Sequence, residues 1–135
     1  MRPERAGGLL MKKSTKLQMK RVYEEATSED GFRILTERLW PRGVTKERAA
    51  LDLWMKGVAP GDDLRKWFGH DPDKWEEFQE KYRRELFGSQ EVEELLEILG
   101  KHEKVTLVYA SKDEEHNSTV VLLGLLKDLL DSKEE

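Results

Sequence analysis

Residues 104–130, KVTLVYASKDEEHNSTVVLLGLLKDLL, decide the fold. The segment from Lys104 to Ala110 is a short apolar run rich in β-branched residues, the composition of a buried strand. From Thr119 to Leu130 the chain is apolar almost all round. A helix with no polar face is buried on every side, so this is the most buried helix expected. A buried strand that feeds a buried helix is one half of a βα unit, and such units assemble into a layered α/β sandwich with a largely parallel sheet flanked by helices. Leu107, Val108, Val121, Leu122 and Leu125 are its expected core.

Upstream the same alternation continues. LQMKRVYE (residues 17–24) reads as a first strand, and EATSEDGF as a polar turn containing Gly31. FRILTERLW (32–40) sets Phe32 and Ile34 among polar neighbours and stops at Pro41, as a second strand should. Thr45 is placed to cap a short helix. LDLWMKGVAPG (51–61) reads as a short third strand, and DDLRKWF as a short helix stopped by Gly69. Asp71 before Pro72 supplies an N-cap and a first-turn proline. Trp75, Phe78, Tyr82 and Leu86 then recur at helical spacing up to Gly88, and Val92, Leu95, Leu96 and Leu99 mark a further helix ending at Gly100. The organisation expected is a loose tail over residues 1–16, one α/β domain over 17–131 and a charged tail at 132–135. Met11 and Met19 offer alternative starts.

At 135 residues the chain can bury a core without covalent staples. It has no cysteine, which excludes a disulfide framework, a thiolate nucleophile and a zinc–thiolate site. With 24 Lys and Arg against 28 Asp and Glu, the net charge of −4 argues against a basic nucleic-acid coat but permits a local basic pocket. No apolar run approaches the ~18–20 residues of a membrane span, and no signal-peptide core is legible. A soluble cytoplasmic protein without membrane contact is the expectation. Lys, Glu and Arg are abundant while asparagine occurs once, at Asn117, a bias seen in thermophile proteins. That bias draws attention to Asn117, although a helix start also favours asparagine.

Three loops carry the candidate chemistry. In open α/β sheets, ligands sit beyond the carboxyl ends of strands and near helix N-termini. SKDEEHN (111–117) lies in that position. Lys112 can neutralise an anion there, Asp113 or Glu114 can accept a proton, and His116 can shuttle one. Ser111 with Glu114 also fits a capping box, and Asp113 fits an N-cap, so capping accounts for the acids but does not require His116 or Asn117. In RLWPRG (38–43) a rigid Trp-Pro corner separates Arg38 from Arg42, whose planar forks suit a phosphate or carboxylate. Trp40 can stack on a base or sugar, or fill the core while the arginines pair with nearby acids. In RKWFGHD (65–71), Trp67 and Phe68 suit the core and Asp71 suits a cap. His70 beside an acid is a candidate base. No H-x-x-x-H spacing points to a metal. Without a Gly-rich phosphate loop or a G-x-S-x-G elbow, no cofactor is read.

Three blocks in order, RLWPRGVTKERAALDLWMKGVAP, LRKWFGHDPDKWEEFQEKYRREL and VTLVYASKDEEHNSTVVL, resemble the YeaO-like branch of a domain-of-unknown-function family. The resemblance runs from Val22 to Leu126 and implies a small α/β protein of uncharacterised activity. The residues themselves point to a pocket at the strand carboxyl ends that binds or acts on a phosphorylated or carboxylated small molecule, a nucleotide among them. Arg38, Trp40, Arg42, Lys112 and Asn117 are the expected ligand contacts, and His116, Asp113 and His70 the expected proton carriers. The alternative is a non-catalytic module that binds nucleic acid or a protein through Trp and Arg. The net charge disfavours nucleic acid.

Overall fold

The apolar run at 104–109 forms the centre of the sheet. The computed structural model describes residues 15–134. Four strands, β1 (Lys16–Arg21), β2 (Phe32–Leu35), β3 (Leu53–Trp54) and β4 (Lys104–Tyr109), lie in the order β1-β4-β2-β3, and every pairing is parallel. β4 pairs with β1 from Lys16↔Lys104 to Arg21↔Tyr109, and with β2 from Phe32↔Val105 to Leu35↔Val108. Five helices surround the strands: α1 (Lys46–Ala49), α2 (Asp62–Phe68), α3 (Trp75–Leu86), α4 (Gln90–Leu99) and α5 (Ser118–Glu134).

A parallel sheet buries both faces, so its central strand can be apolar on both. Val105 and Leu107 of β4 join Ile34, Phe78, Tyr82, Leu95, Val121 and Leu122 in the main core. Val108 points into a smaller cluster with Val22, Leu35, Val44 and Ala49, covered by Trp40 and Trp54. The five residues expected in the core, Leu107, Val108, Val121, Leu122 and Leu125, are all buried. The Tyr82 hydroxyl donates to the Val58 carbonyl and ties α3 to the turn before α2. Among the described residues no helix is long and apolar enough to cross a membrane.

β2 and β3 are much shorter than their sequence patterns suggest. β2 stops at Leu35 because the chain leaves the sheet at Thr36, whose N–H still reaches the Val108 carbonyl at 3.3 Å and whose hydroxyl meets that of Thr119 at 3.2 Å. β3 is two residues long. The Met55 N–H still bonds the Leu35 carbonyl, and then a 3-10 turn at Lys56–Val58 carries the chain away.

Arg33 departs from the alternating pattern. Its place between Phe32 and Ile34 would face solvent on a one-sided sheet, yet it is only 3% exposed. It bonds Asp30 at 2.6 Å and the Ala49 carbonyl at 2.8 Å, so it holds the end of α1 onto the sheet. Asp30 also accepts from Lys20 at 3.1 Å and from the Thr27 N–H at 3.1 Å. Gly31 makes this corner possible. It has φ +66°, and a Cβ there would lie 2.4 Å from the Lys104 carbonyl oxygen. Most of the expected N-terminal tail, residues 1–14, lies outside the described residues, as does residue 135.

Candidate functional site

Parallel strands bring their carboxyl ends to one edge of the sheet, and the loops that leave that edge surround a cleft of about 520 Å³. Tyr23 follows β1. Glu37, Arg38, Leu39, Trp40, Pro41 and Arg42 follow β2. Ala110 and Ser111 follow β4, and Asn117 and Ser118 open α5. Ala59, Pro60, Arg65, Lys66, Phe68, Gly69 and His70 come from α2 and its flanks, and Phe78 from α3. Buried apolar side chains, Ala59, Pro60, Phe68 and Phe78, form its floor, while Arg42, Lys66 and His70 are exposed at its mouth.

The turn after β2 is built to hold its shape. The Trp40 indole N–H donates to the Val44 carbonyl at 2.7 Å, and its ring packs edge-on against Trp54 with centroids 5.4 Å apart. The Tyr23 hydroxyl donates to the Arg42 carbonyl at 2.8 Å. The Arg42 backbone is thereby fixed, while its exposed guanidinium makes no hydrogen bond or ion pair among the described residues. Arg38 is more committed. Its Nε donates to Pro60 at 3.2 Å and one Nη to Ala59 at 3.3 Å, with Asp62 at 3.8 Å. Arg65 contacts Asp62 at 3.4 Å, and its buried Nε has no hydrogen-bond partner among the described residues.

Of the expected ligand contacts, Arg38, Trp40, Arg42 and Asn117 line this one cleft, and so does His70. Asn117 is only 2% exposed, and its amide serves the helix it precedes. Its Oδ1 accepts the Val120 N–H at 3.1 Å, and its Nδ2 donates to the Asp113 carbonyl at 2.9 Å. The cap of α5 is therefore Asn117, not the earlier acids. Ser111 instead accepts the Asp113 N–H at 3.2 Å. His70 sits in the left-handed region at φ +60° with its ring exposed near Phe68. Asp71 caps the 3-10 turn at Pro72–Lys74 through the Asp73 N–H.

Lys112, Asp113 and His116 are not among the residues that line the cleft. Lys112 is exposed. Asp113 accepts the N–H groups of Glu115 and His116 at 3.0 Å each, and these bonds, with the imidazole, hold its carboxyl below the ordinary value despite some burial. The His116 Nδ1 lies 3.0 Å from Asp113, and its ring stands edge-on to Trp75 of α3. The pair is an oriented acid–imidazole couple that pins the turn to α3. Among the described residues no group of three or more His, Cys, Asp or Glu is placed to hold a metal.

Arg65 and Glu37 are cleft residues to which the sequence assigns no role. Arg65 lay in a block whose aromatic residues suggested only core. Glu37 opens the ERLWPRG block and directly follows the buried end of β2, which was the available signal. Its Oε1 accepts the Ala110 N–H at 3.1 Å, linking the ends of β2 and β4. Burial pushes the Glu37 carboxyl above its ordinary value, and the Ala110 N–H only partly opposes this.

Comparison with known proteins agrees with the three-block resemblance. A family model described as "Inactive DUF488-N3 subclade" matches residues 16–135. The chain is 39% identical over 113 residues to the uncharacterized protein YeaO of Escherichia coli (strain K12), covering 84% of this chain and 98% of that one. It is 36% identical over 116 residues to the uncharacterized protein Rv3073c of Mycobacterium tuberculosis (strain ATCC 25618 / H37Rv), covering 86% and 98%. No solved structure matches it significantly.

Proposed function

The chain belongs to the inactive DUF488-N3 subclade, and on that footing we propose that it binds a small anionic molecule, phosphorylated or carboxylated, in the cleft at the carboxyl edge of its sheet. The observation that carries this reading is Arg42. Its backbone is held by a tight turn, and its guanidinium is unpaired among the described residues, in a cleft that Arg65, Lys66 and His70 also line. An arginine whose backbone is already fixed loses less entropy on gripping an oxyanion, and its planar fork can bind it bidentately. The apolar floor would cover the body of the ligand, as in most small-molecule sites.

Binding without turnover fits the cleft better than catalysis. The family's own description as inactive points the same way. The Asp113–His116 couple, the best-oriented acid and base in the loops, is engaged with α3.

A thermal-shift screen of inorganic phosphate, pyrophosphate, nucleotides, sugar phosphates and dicarboxylates tests the proposal. A binder at about a hundred times its dissociation constant adds about 2.7 kcal/mol. Arg42→Glu should leave the ligand-free melting point nearly unchanged, since the side chain is exposed, and should abolish the shift. If no anion stabilises the protein, or if Arg42→Glu is stabilised as well as wild type, the proposal is wrong.

A further inference from the structure

The Arg65 Nε is the one buried side-chain polar atom among the described residues that has no hydrogen-bond partner. The atom is closed to solvent as well, so water does not satisfy it, and an N–H of a charged group left in that state is costly. The rest of the side chain is weakly held. One Nη reaches Asp62 at 3.4 Å, an exposed pair of the kind that contributes little. Asp62 is shared with Arg38, at 3.8 Å. Arg65 therefore gives up little by turning on its stem, and it lines the cleft. The cleft attracts a turned arginine only when an anion is present, because the lining is already positive. Four permanent cations, Arg38, Arg42, Arg65 and Lys66, stand against one carboxylate, Glu37, a net charge of +3 with His70 neutral. Counting Asp62, which is not in the lining, leaves +2, on a chain whose net charge is −4. A cleft of one sign within a chain of the other concentrates its counter-ion.

We propose that the occupant is a phosphate monoester, and that Arg65 turns from Asp62 to grip its phosphoryl group together with Arg42. This rests on the anion-binding reading above and narrows it from anions in general to the phosphoryl dianion. A phosphoryl group sets about −1.5 to −2 of charge and three acceptor oxygens on one centre at neutral pH, so two arginine forks can share it. A carboxylate has one charge and two oxygens, which a single fork already fills. The Nε–Nη edge of Arg65 supplies the second fork, and a phosphoryl oxygen supplies the acceptor that Nε lacks. A lysine in its place would bring the charge without the fork. The turn leaves Asp62 to Arg38.

Calorimetric titration of the full chain with glycerol phosphate against succinate tests the inference, with inorganic pyrophosphate as the probe for anion binding alone. At about pH 8 both organic ligands are close to dianionic, since the second phosphate pKa is about 6. The pair therefore separates a phosphoryl group from the same charge spread over two carboxylates. Glycerol phosphate is expected to bind about tenfold or more tightly than succinate. Arg65→Lys keeps the charge but removes Nε and the fork. It should weaken glycerol phosphate about tenfold and change succinate by less than about twofold. The ligand-free melting point should not fall, because the substitution deletes an unsatisfied N–H. A residue acting only through structure or net charge would move both ligands alike. The inference is overturned if wild type binds succinate as tightly as glycerol phosphate, or if Arg65→Lys leaves glycerol phosphate unchanged or weakens both ligands equally. In those cases, or if pyrophosphate binds and neither organic ligand does, the anion-binding reading survives and only this narrowing falls. Should none of the three bind, both fall.

Discussion

Replacing Asp30 by alanine is expected to lower the stability of the protein by about 3–5 kcal/mol, because it leaves a buried arginine without its counter-ion. Arg33 is 3% exposed and Asp30 2%, and their side chains meet at 2.6 Å. Without the carboxylate, Arg33 keeps only the Ala49 and Ala50 carbonyls, and Lys20 and the Thr27 N–H also lose a partner. Urea unfolding of the two proteins at neutral pH measures the difference. A change below about 1 kcal/mol would place the Asp30 cluster at a solvated surface rather than inside the fold.

The same cluster predicts a pH dependence. Burial alone pushes the Asp30 carboxyl up, but the Thr27 N–H, Lys20 and Arg33 outweigh it and hold the carboxyl below its ordinary value of 3.8. A depressed folded value means that the unfolded chain takes up the proton first as pH falls. The contribution of Asp30 is therefore complete well above 3.8 and is lost as pH drops through the folded value. The gap between wild type and Asp30→Ala should narrow below that pH.

Val121→Asp is expected to be still more damaging. Val121 is 3% exposed and packs within the main core on α5. An aspartate there must stay protonated or unfold its surroundings. Raising a carboxyl by about 3–5 pKa units costs about 4–7 kcal/mol, comparable with the whole stability of a domain. Lys127→Asp, at an exposed position of the same helix, controls for helix propensity and should cost under about 1 kcal/mol. If Val121→Asp melts within a degree or two of wild type, α5 is not the buried helix described.

The apolar periodicities made the architecture legible. β4 and α5 announce themselves because a two-faced parallel sheet demands residues apolar on both sides, and few other arrangements tolerate them. The gathering of Arg38, Trp40, Arg42 and Asn117 at one cleft followed from the rule that parallel strands end at a common edge. The direction in which each loop then turns was not legible. Lys112, Asp113 and His116 share their loop with Asn117, yet the Asp113 bonds to Glu115 and His116 and the packing of His116 on Trp75 turn that segment to α3. Such short-range side-chain bonds have no period to detect. Glu37, Asp30 and Arg33 were hidden for another reason. Charged residues beside strand ends are ordinarily solvated, and only long-range pairing of β2 with β4, and of α1 over Arg33, buries them.

The central claim is that an anion is held in the cleft at the carboxyl edge, and an NMR titration of the ¹⁵N-labelled full chain with inorganic pyrophosphate tests it most directly. The account predicts saturable shifts, with a dissociation constant of about 1 mM or tighter, centred on the Ala110 and Arg42 amides, the Trp40 indole N–H and the Gly69–His70 turn. No saturable shift, or shifts centred on Lys112–His116 with the cleft unmoved, would contradict it.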